Sequence, residues 1–209
     1  MTKFLVVFDV DSTLIEQEAI ELLAAHSESA ELVQQITDRA MRGEIDFSQS
    51  LIERVATLEG LPEGILDKVS GQLALTPGAK ELVAEIHRRG GKAAAVSGGF
   101  IQLLDPIREE LMLDFAAANT LGVEAGLLTG KVVGEIVNRQ AKADYLKSWA
   151  EECGLELSQT IAVGDGANDL GMMAVAGLSV AFCAKPVVND QADVVLTNRD
   201  LAELIQILP

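Results

Sequence analysis

Five short apolar, β-rich runs, most of them separated by helical periodicity, confine this chain to an alternating α/β architecture. The first run, residues 4–8 (Phe-Leu-Val-Val-Phe), is apolar throughout, the pattern of a strand buried on both faces of a parallel sheet. Similar runs recur at 92–96, 160–163, 178–182 and 193–196, and helical patterns occupy about 78–89, 100–111, 139–153, 168–176 and 199–207. Such alternation predicts a parallel sheet covered by helices on both faces.

Two segments break the pattern. Residues 14–76 show only helical periodicity, over a length far beyond the roughly 2–6 residues that usually join a strand to its helix. Residues 121–137 alternate polar and apolar side chains, with Gly126 and Gly130 as turn points, which predicts an antiparallel hairpin. The expected fold is a three-layer, Rossmann-like α/β core, residues 1–13 and 77–209, with a small helical cap domain, 14–76, inserted after the first strand.

Charge narrows the range of partners. Sixteen basic against thirty-two acidic side chains leave a net charge of -16, which disfavours nucleic acid and anionic membrane, since both recruit Lys and Arg. A small anion is still accessible if cations are concentrated locally. No stretch approaches the roughly 20 apolar residues of a membrane span, and the run at 4–8 is too short for a signal-peptide core. Cys153 and Cys183 lack metal-ligand spacing, so a reducing cytoplasm is the expected compartment. Either a monomer or a homodimer is compatible with the sequence.

Four polar groups share one topological property: three follow expected strands and the fourth opens the helix before one. Asp9-Val-Asp11-Ser-Thr13 follows the first strand, Ser97-Gly98-Gly99-Phe100 the second, and Gly164-Asp165-Gly166-Ala167-Asn168-Asp169 the third. Lys142 falls in the first turn of the helix preceding that third strand. Ligands of open α/β sheets bind outside the carboxyl ends of the strands, so all four are expected to converge.

Crowding Asp9, Asp11, Asp165 and Asp169 is costly, because two unit charges 4 Å apart repel by about 4 kcal/mol at an effective dielectric near 20. Such a donor set suits a hard divalent cation, Mg²⁺ above softer metals. Ser97 and its glycines are expected to open a helix and offer N–H groups to an anion. Lys142 opposes its helix dipole, a placement that makes sense beside an anion. Taken singly, Ser97 also reads as a helix N-cap, Gly164–Asp169 as a capped turn, Lys142 as a solvated lysine, and Asp9/Asp11 as a strand-ending turn. The conjunction, in this order, is what points to a phosphoryl site. A cysteine-based phosphatase is excluded, because Gln159 and Asn189 stand where Cys-x₅-Arg needs arginine.

The order Asp-x-Asp-x-Thr (Asp9, Asp11, Thr13), Ser97, Lys142 and Gly-Asp-x-x-x-Asp (Gly164 to Asp169) resembles the haloacid-dehalogenase-like hydrolase superfamily over the whole chain. Within it, Asp9-Val-Asp-Ser-Thr-Leu14, Val96-Ser-Gly-Gly-Phe100, Val163-Gly-Asp-Gly-Ala-Asn-Asp169, Ala181-Phe-Cys-Ala-Lys-Pro186 and Phe47-x-x-Ser50-Leu51-x-x-Arg54-Val55 are similar to phosphoserine phosphatases. The resemblance implies Asp9 as nucleophile, Asp11 as general acid/base, and Mg²⁺ on Asp9, Asp165 and the Asp11 backbone carbonyl. It further implies Ser97, Gly98, Lys142 and Asn168 around the phosphoryl group, with Asp169 ordering the metal shell. Glu18 would meet the substrate amino group and Arg54 its carboxylate, while Phe47 and Gly99 line the substrate. Arg54 also stands on one helical face with Phe47, Leu51 and Leu58, unusual company for a solvated arginine, although stem snorkelling produces the same pattern.

Many bacterial relatives carry an added N-terminal regulatory domain. This chain begins at the catalytic strand, so control through such a domain is expected to be absent. The same residues also fit a phosphotransferase to another alcohol such as homoserine, a phosphatase of another small phosphoester or, more distantly, a phospho-accepting receiver.

Overall fold

A computed structural model describes residues 2–27, 29–41 and 44–209. Its sheet has seven strands in the order β4-β3-β2-β1-β5-β6-β7: β1 (Leu5–Phe8), β2 (Lys92–Phe100), β3 (Phe115–Glu124), β4 (Leu127–Val133), β5 (Thr160–Gly164), β6 (Leu178–Phe182) and β7 (Val194–Leu196). All neighbours are parallel except β3 and β4.

The central strand explains the layers. Val6 and Phe8 face a core built with α5 (Ala79–Arg88) and α6 (Ile101–Leu111), whereas Leu5 and Val7 face one built with α7 (Arg139–Glu152) and α8 (Leu170–Met173). This is the period-two consequence of a strand apolar at every position. All four side chains are fully buried, each contributing about 1.5–3 kcal/mol of apolar transfer. α9 (Pro186–Asn189) and tight turns at Leu201–Gln206 complete the chain.

Between β1 and α5 lie α1 (Ala19–Ala24), α2 (Ala30–Met41), α3 (Phe47–Ala56) and α4 (Ile65–Ser70). α1, α3 and α4 share an apolar cluster that also takes in Phe100 and Leu103 on one side and Leu121 and Leu128 on another. Two backbone attachments hold this helical segment. At its neck the Thr76 N–H donates to Leu14 O at 2.9 Å and the Glu16 N–H to Ala74 O at 3.0 Å. After α3, the Gly60 N–H donates to Leu128 O at 2.9 Å and the Leu128 N–H to Leu61 O at 2.8 Å, so this loop covers part of the β4 edge.

Three details differ from the sequence expectations. The hairpin strand begins at Phe115 because its alanine-rich first half pairs with β2 before the chain turns at Ala125 and Gly126, both left-handed (φ 51° and 78°). Gly130 lies inside β4 rather than at a turn; a side chain there would meet Glu59 and Ala56. Ser97-Gly98-Gly99 belongs to β2 and not to a helix, since α6 starts only at Ile101. Among the described residues no helix is long and apolar enough to cross a membrane.

At the N-terminal ends of β2 and β3, Asp114 accepts hydrogen bonds from Lys92 Nζ (2.8 Å), the Ala93 N–H (3.0 Å) and His87 Nε2 (3.0 Å). Burial works to raise the Asp114 carboxyl pKa, but these donors outweigh it and hold it below the ordinary value. Asp114→Ala is expected to cost about 1–3 kcal/mol in urea unfolding at pH 7. A carboxyl with a lowered folded pKa stabilises fully above its unfolded value, about 4, and loses that contribution as pH falls through the folded one. The gap between wild type and variant should therefore close below about pH 4; a gap constant into acid would count against it.

Candidate active site

Strand register levels the catalytic loops. Phe8 pairs with both Ala95 and Val163, so Asp9, Ser97 and Asp165 leave adjacent strands at one edge. The Asp9 N–H continues the ladder by donating to Val163 O at 2.8 Å. The chain then makes a wide turn closed by the Ile15 N–H on Val10 O (3.0 Å), with Ser12 in the left-handed region at φ 57°. A non-glycine residue there is uncommon. Arg199 Nη1 donates to Ser12 O at 3.4 Å, and Ser12 Oγ donates to Glu18 Oε1 at 2.8 Å.

Lys142 binds the centre together. Its side chain is 0% exposed, and Nζ donates to Asp9 Oδ1 and Asp169 Oδ1, each at 2.7 Å. Burial works against the ammonium, but Asp169 and Asp9 more than compensate and keep its pKa above the ordinary lysine value. Asp169 has a further role, because its Oδ2 accepts the N–H groups of Asp165 (3.2 Å) and Gly166 (3.0 Å). It thus shapes the loop that presents Asp165. Asn168 lies within the same loop, its amide oxygen packed against Gly166.

Asp9, Asp165 and Asp169 each place a carboxylate oxygen within 4.8 Å of the others. Asp9 Oδ1 also accepts the Val10 N–H at 2.7 Å, whereas among the described residues none donates to the second Asp9 oxygen or to the Asp165 carboxylate. Burial, with Asp169 and Asp165, pushes the Asp9 carboxyl well above its usual range despite Lys142. Burial, Asp169 and Glu18 push Asp165 to about 7. Oxygen donors left unpaired and forced towards protonation fit a hard cation, which would supply the charge that one lysine cannot.

Asp11 has a different environment. Its Oδ1 accepts the Ala19 N–H at 3.0 Å, and a side chain on Gly99 would stand 2.8 Å from Oδ2. Burial and the Glu18 charge raise its pKa to about 7. A carboxyl poised there can give or take a proton near neutrality.

The helical segment closes over this floor. The Phe47 ring packs on Gly98, where a Cβ would meet Cζ at 2.6 Å. Arg54 is half-buried one helical face along; its Nε donates to Ser50 O at 3.3 Å, and among the described residues its guanidinium forms no ion pair. Burial lowers its pKa while Glu18, Asp11 and Glu21 act the other way, which places their charges around it. The site residues expected from the sequence therefore lie in this one neighbourhood. Sequence reasoning missed Ser12, Arg199 and Asn119. Asn119 did leave a signal, as a polar side chain within the run Phe-Ala-Ala-Ala-Asn, and its amide bonds Gly98 O and the Val137 N–H.

Comparisons with known proteins agree on one group. A model of the haloacid dehalogenase-like hydrolase family matches residues 6–174. The chain is 53% identical over 206 residues to a phosphoserine phosphatase of Streptococcus thermophilus, covering 99% of this chain and 96% of that one. It is 49% identical to the phosphoserine phosphatase SerB2 of Mycobacterium tuberculosis, but spans only 51% of that relative's length. A solved structure described as a phospho-aspartyl intermediate analogue of phosphoserine phosphatase superposes with a TM-score of 0.94 at 42% identity, covering 100% of both chains.

Proposed function

The chain belongs to the haloacid dehalogenase-like hydrolase family, and from that premise we infer that it hydrolyses phosphoserine to serine and phosphate through an aspartyl-phosphate on Asp9. The observation that carries this most directly is the buried bridge of Lys142 to Asp9 and Asp169, which fixes one Asp9 oxygen and leaves the other free to react.

Asp9 attacks phosphorus in line with the serine oxygen; the new O–P bond forms as the old one breaks. Asp11, protonated at the start, gives its proton to the departing serine oxygen. It then takes a proton from the water that cleaves the aspartyl-phosphate, which restores both carboxyls. Ser97, Gly98 and Lys142 hold the phosphoryl oxygens, with Asn168 beside them. Asp9, Asp165 and the Asp11 backbone carbonyl would hold Mg²⁺, and Asp169 would keep that shell in order. The ion, when bound, neutralises charge on the transferring group and on the carboxylates.

Residues 14–76 act as a cap over a core of 1–13 and 77–209. Within the cap Glu18 pairs with the substrate ammonium, Arg54 with its carboxylate, and Phe47 with Gly99 encloses it. Support comes from the half-buried guanidinium of Arg54, which among the described residues forms no ion pair and which a ligand carboxylate would complete. The free thiols of Cys153 and Cys183 suit a reducing compartment such as the cytoplasm.

The test is phosphate release with Mg²⁺ from phosphoserine and from phosphoethanolamine, which lacks the carboxylate. Wild type should prefer phosphoserine. Arg54→Ala should raise its KM by about 10–150-fold, the worth of a charge-assisted pair, and change phosphoethanolamine little. Equal turnover of both esters by wild type would refute phosphoserine as the substrate.

A further inference from the structure

Asn119 is 1% exposed, an amide inside a sheet. Its Nδ2 donates to Gly98 O at 2.8 Å, and its Oδ1 accepts the Val137 N–H at 2.8 Å. Partner chemistry fixes the amide's orientation, because a carbonyl can only accept and an N–H only donate.

Gly98 sits where β2 slips against β3. The register runs Val96↔Ala117 and resumes at Phe100↔Asn119, so Ser97, Gly98 and Gly99 bulge opposite Ala118 alone. A bulge forfeits ladder hydrogen bonds, and the Asn119 amide supplies one in their place. The Gly98 carbonyl belongs to the same rigid peptide plane as the Gly99 N–H. That N–H donates to Ser97 Oγ at 2.7 Å, so the plane is held at both ends by side chains. The Gly99 N–H takes one of the two lone pairs of the Ser97 hydroxyl and leaves its hydrogen available to an acceptor. The second arm of Asn119 reaches Val137, the residue before Asn138, which caps α7; Lys142 follows in the first turn of that helix.

We propose that Asn119 is a positioning residue that holds the Ser97–Gly98–Gly99 bulge and the start of α7 in one frame, so that their donors converge on the same phosphoryl oxygens. This rests on the reading of Ser97, Gly98 and Lys142 as phosphoryl ligands. Asn119 does not touch the reacting atoms. It acts by preventing the Gly98–Gly99 peptide from rotating and α7 from sliding along the sheet.

The experiment measures inhibition by inorganic phosphate, kcat/KM for phosphoserine, and half-saturation by Mg²⁺, in wild type, Ser97→Ala, Asn119→Leu and Asn119→Ser. Loss of the clamp should weaken phosphate at least about tenfold and lower kcat/KM by about 10–100-fold in Asn119→Leu, as a misplacement of up to about 1 Å does. Mg²⁺ half-saturation should stay close to wild type, because Asp9 and Asp165 directly follow β1 and β5, to which the Asn119 amide makes no bond. Asn119→Ser is the smaller packing change; it keeps a folded protein in hand and should show the same selective loss at reduced size. Wild-type phosphate affinity in both folded Asn119 variants overturns the inference, as does a parallel loss of phosphate and Mg²⁺. Wild-type phosphate affinity in Ser97→Ala instead sinks the phosphoryl-site reading, and the inference with it.

Discussion

Asp9→Asn will stop phosphate release, with kcat falling by about 10⁴–10⁶-fold, the scale seen when a covalent nucleophile is removed. The amide keeps the shape of the carboxylate and can still accept the Val10 N–H, so the turn after β1 has no reason to change. What disappears is an oxygen able to attack phosphorus. Stability should move the other way. A carboxyl whose folded pKa is raised costs stability at any pH above its unfolded value, about 4, and Asp9 is such a group. In chelator at pH 7 the variant should therefore melt no lower than wild type, and higher if Lys142 settles on Asp169. An inactive but equally stable protein isolates the chemical role. Substantial turnover by the variant would end the nucleophile assignment.

Lys142→Met should be damaging for the opposite reason. The methionine fills the volume of the lysine stem but leaves Asp9 and Asp169 facing each other without a cation. Breaking a buried ion pair from one side typically costs about 3–5 kcal/mol. For a chain of 209 residues that corresponds to a Tm lower by roughly 6–20 °C. Mg²⁺ should recover part of the loss, because an ion that binds only the folded state adds stability and replaces some of the missing charge. Activity should fall by about 10²–10³-fold even at saturating Mg²⁺, the usual effect of deleting a preorganised charge. Calorimetry across an Mg²⁺ series decides this; a Tm insensitive to the substitution would show that Lys142 does not balance the cluster.

Local features of the sequence told much of this in advance. Each buried strand is a run of apolar residues long enough to read, and each is followed at once by its polar loop. The edge where Asp9, Ser97 and Asp165 gather follows from topology alone. The helical character of 14–76 was legible for the same reason, since amphipathic periodicity needs no partner to be seen. What escaped depends on contacts between distant residues. Ser97-Gly98-Gly99 has the composition of a helix start, yet it stays in β2 because Asn119, on the next strand, and Ser97 itself satisfy that peptide. Gly130 reads as a turn residue, but it lies within β4, left-handed (φ 68°) and packed against Glu59 in the loop after α3. The attachment of Gly60 and Leu61 to Leu128 is made of backbone groups and leaves no trace in side-chain pattern.

The placement of β1 at the centre of the sheet also governs when this centre can exist during synthesis. Phe8 pairs on one side with Ala95 and on the other with Val163, and Lys142 lies 133 residues beyond Asp9. A ribosome-bound chain that stops short of β5 has no partner for one edge of β1, and its Asp9 has no Asp165 or Asp169 beside it. Pairings this far apart close late and slowly. Stalled nascent chains should therefore gain no activity before β5 and the loop after it leave the exit tunnel, so that catalytic competence reports the joining of β5 to the sheet.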